Sequence, residues 1–450
     1  MSVETPIPLT VFEKYFLLDA SEEFPMICDG SFHFTGIVDR DVFQEAVQDA
    51  LKRQPLLTRK IKKRRRRFYW VPVQERFEIV QLETPPDVNC QEWNRPFDLF
   101  TTNGLELYAC VNEMKTEIYY RCHHLCTDGT GIFRFFSDVF TEYAKRCGQP
   151  IAERFPLRPE RIADRNNFPP SELPGKISFF RILYDTVREV VKWLQEKPIP
   201  LETEVETVDT TKGRFGRKTY FISMERVDEY RRYAKSQNSN LNDFLMTGLF
   251  TALSEQHLVG RQGNRLRMMI PVNMRWPGSE DIPAANILSY VFLTKKKAAC
   301  RRSRELLTEI HNEMQIIKDW QVGFMFLDAL RFFNALPGGL RFMTGGKKCL
   351  ASLVFSNIGT VEKFFDDDFA HTGDEVGRGI LQCGNLRLDR ADAYAPCRRR
   401  TNLSVVASTQ AGNLLIGCLF DRKFISDEWV DHWFDDLKML LDKHVSGDGK

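Results

Sequence analysis

No uninterrupted apolar run in this 450-residue sequence approaches the roughly 18–20 residues that a membrane-spanning helix needs. The opening "MSVETPIPLT" also lacks the charged-then-apolar layout of a secretory leader. Net charge is nearly absent: 63 Lys and Arg against 61 Asp and Glu leave +2, so no global field draws the chain to nucleic acid or an anionic membrane. There is no Cys-x-x-Cys pair, and the eleven cysteines are an odd number scattered singly from Cys28 to Cys418. That pattern excludes a secreted disulfide framework and reads as reduced thiols in a cytosol. The expectation is a soluble, cytoplasmic protein.

What is present is bulk. Apolar residues make up 43% of the chain, enough for more than one core, and the length suggests two domains. Phe occurs 35 times, often in pairs such as Phe135-Phe136, Phe179-Phe180, Phe332-Phe333 and Phe364-Phe365. Core packing is the first reading of such pairs, and the lining of an apolar channel the second.

"DGSFHFTGIV" alternates like a strand, and Asp39 caps a helix in which Phe43, Ala46, Val47, Ala50 and Leu51 recur at helical spacing until Pro55. "GLELYACVNEMKTEIYYRCHH" reads as a hairpin turning at 112–115, and "GIFRFFSDVFTEYAKRCG" as an amphipathic helix closing on Gly148. Residues 148–175 read as a long surface loop, a helix is expected over "ISFFRILYDTVREVVKWLQEK", and 198–213 reads as a linker. A second alternation of strands and helices follows. The expected architecture is α/β, a tandem of two related sandwich lobes at 1–197 and 214–450 joined by 198–213.

Chemistry concentrates at the junction between the hairpin and the amphipathic helix, in "YYRCHHLCTDGTGIF". Neighbouring strand residues point to opposite faces, so His123 and His124 cannot share a role. Imidazole titrates near neutrality and suits a general base that takes a proton from an attacking hydroxyl, amine or thiol. Asp128 can fix local backbone by pairing with a cation, and Gly129 permits close approach. A metal held by Cys122, His123, His124 and Cys126 is disfavoured, since adjacent residues diverge and the spacing matches no usual zinc pattern. Cys126 as a nucleophile lacks a local signature.

His123-His124-x-x-x-Asp128-Gly129, between a strand and a helix at about a quarter of the chain, resembles the signature of the coenzyme-A-dependent acyltransferase superfamily. That group includes chloramphenicol acetyltransferase, condensation domains of nonribosomal peptide synthetases, alcohol acetyltransferases and wax ester synthases. "PIPLTVFEKYF" and "FHFTGIVDRDVFQEAVQDALKRQPLLTRKI" are similar to the opening of a condensation-type domain. "IPVNMR", "ANILSYVF", "VFSNIG" and "NLSVVASTQAGNLLIGCLFDRKFIS" are similar to later segments, in family order over residues 6–426. The Asp-Phe-Gly-Trp-Gly segment of plant alcohol acyltransferases is missing.

The resemblance implies two chloramphenicol-acetyltransferase-like lobes with a tunnel between them and transfer from an acyl thioester to a hydroxyl or amine. His124 is then the general base and His123 a structural neighbour. Asp128 pairs with Arg275 across the lobes, Gly129 leaves room for the pantetheine thiol end, and Asn286, Ser356 and Asn357 line the tunnel. No donor for the oxyanion is evident. No permanent cofactor or metal is implied. The donor is acyl-CoA or, as the alternative, a phosphopantetheine-linked acyl group on a carrier protein; a catalytically inactive binding relative is the remaining reading. A monomer without nucleic-acid partners is expected. The run Lys62-Lys63-Arg64-Arg65-Arg66-Arg67 reads first as a charged hairpin tip or protected edge strand, with phosphate, acidic-protein or lipid docking as rivals.

Overall fold

The computed structural model describes residues 5–151, 157–168, 196–205, 212–258, 263–345, 349–365 and 381–446. The helix expected over 177–197 falls almost wholly outside these residues, as does the middle of the 198–213 linker.

Two six-stranded sheets carry the chain. The strands in order are β1 (Ile7–Pro8), β2 (Ile27–Thr35), β3 (Arg59–Arg64), β4 (Arg67–Pro72), β5 (Val80–Leu82), β6 (Leu105–Asn112), β7 (Lys115–His123), β8 (Phe215–Ile222) and β9 (Arg265–Asn273). There follow β10 (Leu288–Lys296), β11 (Leu353–Thr360), β12 (Gln382–Cys383), β13 (Leu386–Tyr394), β14 (Leu403–Gln410) and β15 (Asn413–Asp421). The first sheet runs β12-β13-β2-β7-β6-β5 and the second β10-β9-β11-β14-β15-β8; β1, β4 and β3 make a small third sheet. The linker therefore separates the chain but not the sheets. β13 leaves the second half and pairs along β2, with Ala391 opposite Phe32 and Tyr394 opposite Asp29.

Helix positions follow local chemistry. α1 (Val11–Asp19) opens on a capping box in which Thr10 and Glu13 satisfy each other's backbone N–H. α2 (Arg40–Lys52) starts where the Asp39 carboxylate accepts from the N–H groups of Asp41 and Val42. α3 (Gly129–Arg146) starts at Asp128, which accepts from Gly131 N–H. The second half adds α4 (Met224–Ser236), α5 (Leu241–Glu255), α6 (Ser303–Asp319), α7 (Gly323–Ala335) and α8 (Asp427–Val445). α6 and α7 are separated at Gln321, whose φ of 49° is left-handed.

The aromatic pairs mostly pack. Phe32 meets Phe136 at 4.5 Å and Phe140 at 5.3 Å between centroids, while Phe364 stacks on Phe133 and Phe365 on Phe140. Burying each such ring is worth about 1.5–3 kcal/mol, and this cluster glues α3 to the first sheet. Among the described pairs Phe332 is the exception, more than half exposed, and Phe179-Phe180 lies outside the described residues. The loop expected over 148–175 is in part anchored: Arg165 is buried and bridges back to Glu13 on α1. The basic run forms the exposed tip of the β3–β4 hairpin, with Arg64 directly opposite Arg67.

Candidate active site

β7 ends at His123, and the chain then turns sharply into α3. The N–H of His123 is held by Gly104 O and that of His124 by Met26 O, both at 2.8 Å. Met26 itself sits at φ 53°, a left-handed angle that side chains of this size rarely adopt. This conformation costs of order 1–3 kcal/mol and accompanies the carbonyl contact that pins His124.

His124 is 8% exposed, and its ring stacks on Phe16 at 4.5 Å. Its Nδ1 lies 3.0 Å from Thr127 O. A carbonyl can only accept, so this bond puts the proton on Nδ1 and leaves the Nε2 lone pair free. Burial lowers the pKa of His124 below its ordinary value, opposed by the Thr127 carbonyl and the Asp128 charge, which keeps the ring neutral near neutral pH. A neutral, oriented imidazole is what a general base requires.

His123 turns the other way. Its Nδ1 accepts from Leu125 N–H at 3.0 Å, and burial, helped by His124, pushes its pKa down to about 3. It is a structural acceptor inside the turn.

Asp128 is 3% exposed and receives four hydrogen bonds. Gly131 N–H donates to Oδ1 at 2.8 Å and Ile287 N–H to Oδ2 at 2.9 Å, while the Arg275 guanidinium clasps both oxygens at 2.9 Å. Burial alone would raise the Asp128 pKa; the Arg275 charge and the N–H donors outweigh it and hold the carboxyl below its ordinary value. The ion pair ties the start of α3 to the segment after β9. Asn286 makes a second tie, donating from Nδ2 to His124 O at 2.7 Å and Leu125 O at 2.9 Å.

A cavity of about 190 Å³ opens between the two halves at this point. Of the eight residues expected at the site, His124, Asp128, Gly129, Arg275, Ser356 and Asn357 line it. His123 and Asn286 do not: the first faces the turn, and the second is a backbone clamp rather than a tunnel wall. A Cβ built on Gly129 meets nothing within 4 Å, so hydrogen here leaves open space. Asn357 holds the rim by donating to Asn242 Oδ1 and accepting from Gly359 N–H, where β11 bulges.

Sequence reasoning missed several wall residues: Met26, Cys28, Tyr120, Tyr290 and Arg398. Tyr120 was within reach, since Tyr120, Cys122 and His124 share a face by strand alternation. Arg398 carries no such signal; it is placed by an ion pair to Asp19 at 2.7 Å and a hydrogen bond to the Tyr15 hydroxyl. A broader hollow of about 500 Å³ lies between β8, α4 and α8, and its charged lining includes Arg226, already paired with Glu229 and Asp442.

Two mixed sheets flanked by helices, with a crossover strand and a cavity between the halves, constitute the fold shared by condensation domains and coenzyme-A-dependent acyltransferases. The first condensation domain of the calcium-dependent antibiotic synthetase, solved with a substrate analogue, matches with a TM-score of 0.69 at 13% identity, covering 98% of this chain and 96% of that one. The trichothecene 15-O-acetyltransferase TRI3 from Fusarium sporotrichioides matches with 0.65 at 10% identity, covering 96% and 94%. The starter condensation domain of rhizomide synthetase, solved with C8-CoA and Leu-SNAC, matches with 0.65 at 13% identity, covering 98% and 95%. By sequence, no protein-family model and no curated protein matches the chain.

Proposed function

We propose that this protein is an acyltransferase that moves an acyl group from a thioester, acyl-CoA in the simplest case, to a hydroxyl or amine acceptor. The observation that carries the reading is the Nδ1 bond from His124 to Thr127 O, which leaves Nε2 as a base at the wall of a cavity between two halves. The acceptor's O–H or N–H loses its proton to Nε2 as its lone pair forms a bond to the thioester carbon. The tetrahedral intermediate then collapses, the C–S bond breaks, and the proton passes to the departing sulfur. The thioester is already activated, so no covalent enzyme intermediate is required, and holding both substrates together supplies much of the rate. Asp128 and Arg275 act as positioning residues, fixing the turn that presents His124.

The likeness of fold to TRI3 and to condensation domains supports the reaction class, and a neighbour solved with C8-CoA supports the donor. The test is thiol release from an acyl-CoA panel with alcohols and amines. His124→Ala should cut transfer by about 10²–10⁴-fold when assayed well below the variant's melting temperature, with a native circular dichroism spectrum. Equal turnover in that variant ends the mechanism, and turnover only with an acyl group loaded on a carrier protein moves the donor from free CoA to a carrier.

A further inference from the structure

Most polar groups in this interior have partners, but among the described residues the two buried tyrosine hydroxyls at the cavity do not. Tyr120 is 2% exposed and Tyr290 4%, and neither hydroxyl has a hydrogen-bond partner among the described residues. Neither is a sealed orphan atom of the core, so each opens onto the cavity that its residue lines. Leaving a buried hydroxyl unpaired costs about 1–3 kcal/mol, and burial has already pushed both phenols above their ordinary pKa, so they stay protonated donors. Arg398 joins the same wall. Its Nη2 is taken by Asp19 and Tyr15, whereas the contact made by Nη1 is to the Met269 sulfur at 3.6 Å, a weak acceptor.

These three groups outnumber what a plain acyl thioester presents, because an alkanoyl thioester offers one oxygen to the reacting centre. The Arg398 charge is balanced by Asp19 and the Arg275 charge by Asp128, so the wall is neutral and fits uncharged oxygens rather than a carboxylate. Apolar residues such as Met26, Ile132, Phe133 and Leu288 fill the remainder, and about 190 Å³ falls below the roughly 300–1,000 Å³ of drug-sized pockets.

We propose that Tyr120 and Tyr290, with Arg398 behind them, form a subsite for a second, uncharged oxygen of the acceptor, making the preferred acceptor a small polyol-like or hydroxy-carbonyl molecule with an apolar remainder. The inference rests on the acyl-transfer reading for the identity of the reaction, but not for binding.

The test compares hexane-1,2-diol with hexan-1-ol, which differ by one hydroxyl. With wild type, kcat/KM should favour the diol by about tenfold or more, the effect of one well-made hydrogen bond of about 1.4 kcal/mol. Tyr120→Phe and Tyr290→Phe should erase that preference by lowering kcat/KM for the diol to the level of hexan-1-ol, with the melting temperature held, since neither hydroxyl bonds to a described residue. Equal use of the two alcohols by wild type, or a diol preference that survives both substitutions, overturns the subsite. Saturation-transfer NMR competition between the two alcohols reads binding without turnover. A diol preference there that the double variant loses upholds the subsite even if no acyl-CoA is consumed, an outcome that sinks only the reaction; no preference there overturns it.

Discussion

Two buried carboxylates in this molecule are built almost alike and serve different ends. Asp128 and Glu13 each stand at the start of a helix, each contribute to its capping, and each accept from two nitrogens of one arginine, Nη1 and Nη2 of Arg275 and Nε and Nη2 of Arg165. Asp128 adds the N–H groups of Gly131 and Ile287; Glu13 adds those of Thr10 and the Trp70 indole. The difference lies in what the arginine belongs to and what lies beside it. Arg275 comes from the second half and lines the cavity, whereas Arg165 comes from the first half, and neither it nor Glu13 touches that cavity. The same physical device is scaffolding in one place and, in the other, a strut across the cavity between the halves.

The comparison breaks most sharply if one partner is removed. Glu13→Ala strands the buried guanidinium of Arg165 and should lower stability by about 3–5 kcal/mol in denaturant titration, and Asp128→Ala, which strands the partly buried Arg275, should lower it by somewhat less. Only Asp128→Ala should also lower kcat/KM, measured well below its melting midpoint. Equal losses of turnover in the two variants would show that the Asp128 pair has no special tie to His124.

A smaller effect is expected next door. Gly129→Ala places a methyl in open space without backbone strain, so stability should hold or rise by about 0.4–1 kcal/mol. The same methyl narrows the cavity and should cut transfer, read as kcat/KM across acyl donors of increasing size. Unchanged activity for every donor would mean that substrate does not pass Gly129.

The subtlest effect separates the two histidines by pH. Both are held below the ordinary value by burial, so the unfolded chain binds protons more readily than the folded one. The stability tied to their neutral forms is fully present above the unfolded pKa of about 6.5 and is lost as pH falls, for His123 down to about 3. Changing His123 to Asn should flatten the decline of Tm on the acid side while leaving the acid limb of kcat/KM in place. With His124 as the proposed base, that limb is its titration and should have its midpoint below 6.5.

Much of this was legible in the sequence because it is local. The capping of α2 by Asp39, the hairpin ending in His123-His124 and the helix read from Gly131, which in fact opens two residues earlier on the Asp128 cap, each rest on contacts a few residues apart. The Asp128–Arg275 pair, 147 positions apart, came through resemblance and not through spacing. What escaped has no local trace. The Glu13–Arg165 bridge spans 152 positions and sits in a stretch whose Pro, Arg and Asn content reads as surface. Asn286 was placed in the tunnel because its segment was right, but a single side-chain direction decides between a wall and a clamp. Arg398 is the first of three consecutive arginines in "CRRR", where nothing distinguishes the buried one from its exposed neighbours.

The strand that crosses from the second half to lie along β2 bears on how this chain is made. During synthesis on the ribosome, β2 must wait with a bare hydrogen-bonding edge until more than 350 further residues have emerged, and such edges recruit other chains. Cutting the gene between the halves should therefore yield an amino-terminal fragment that clumps alone and becomes tractable when the remainder is co-expressed.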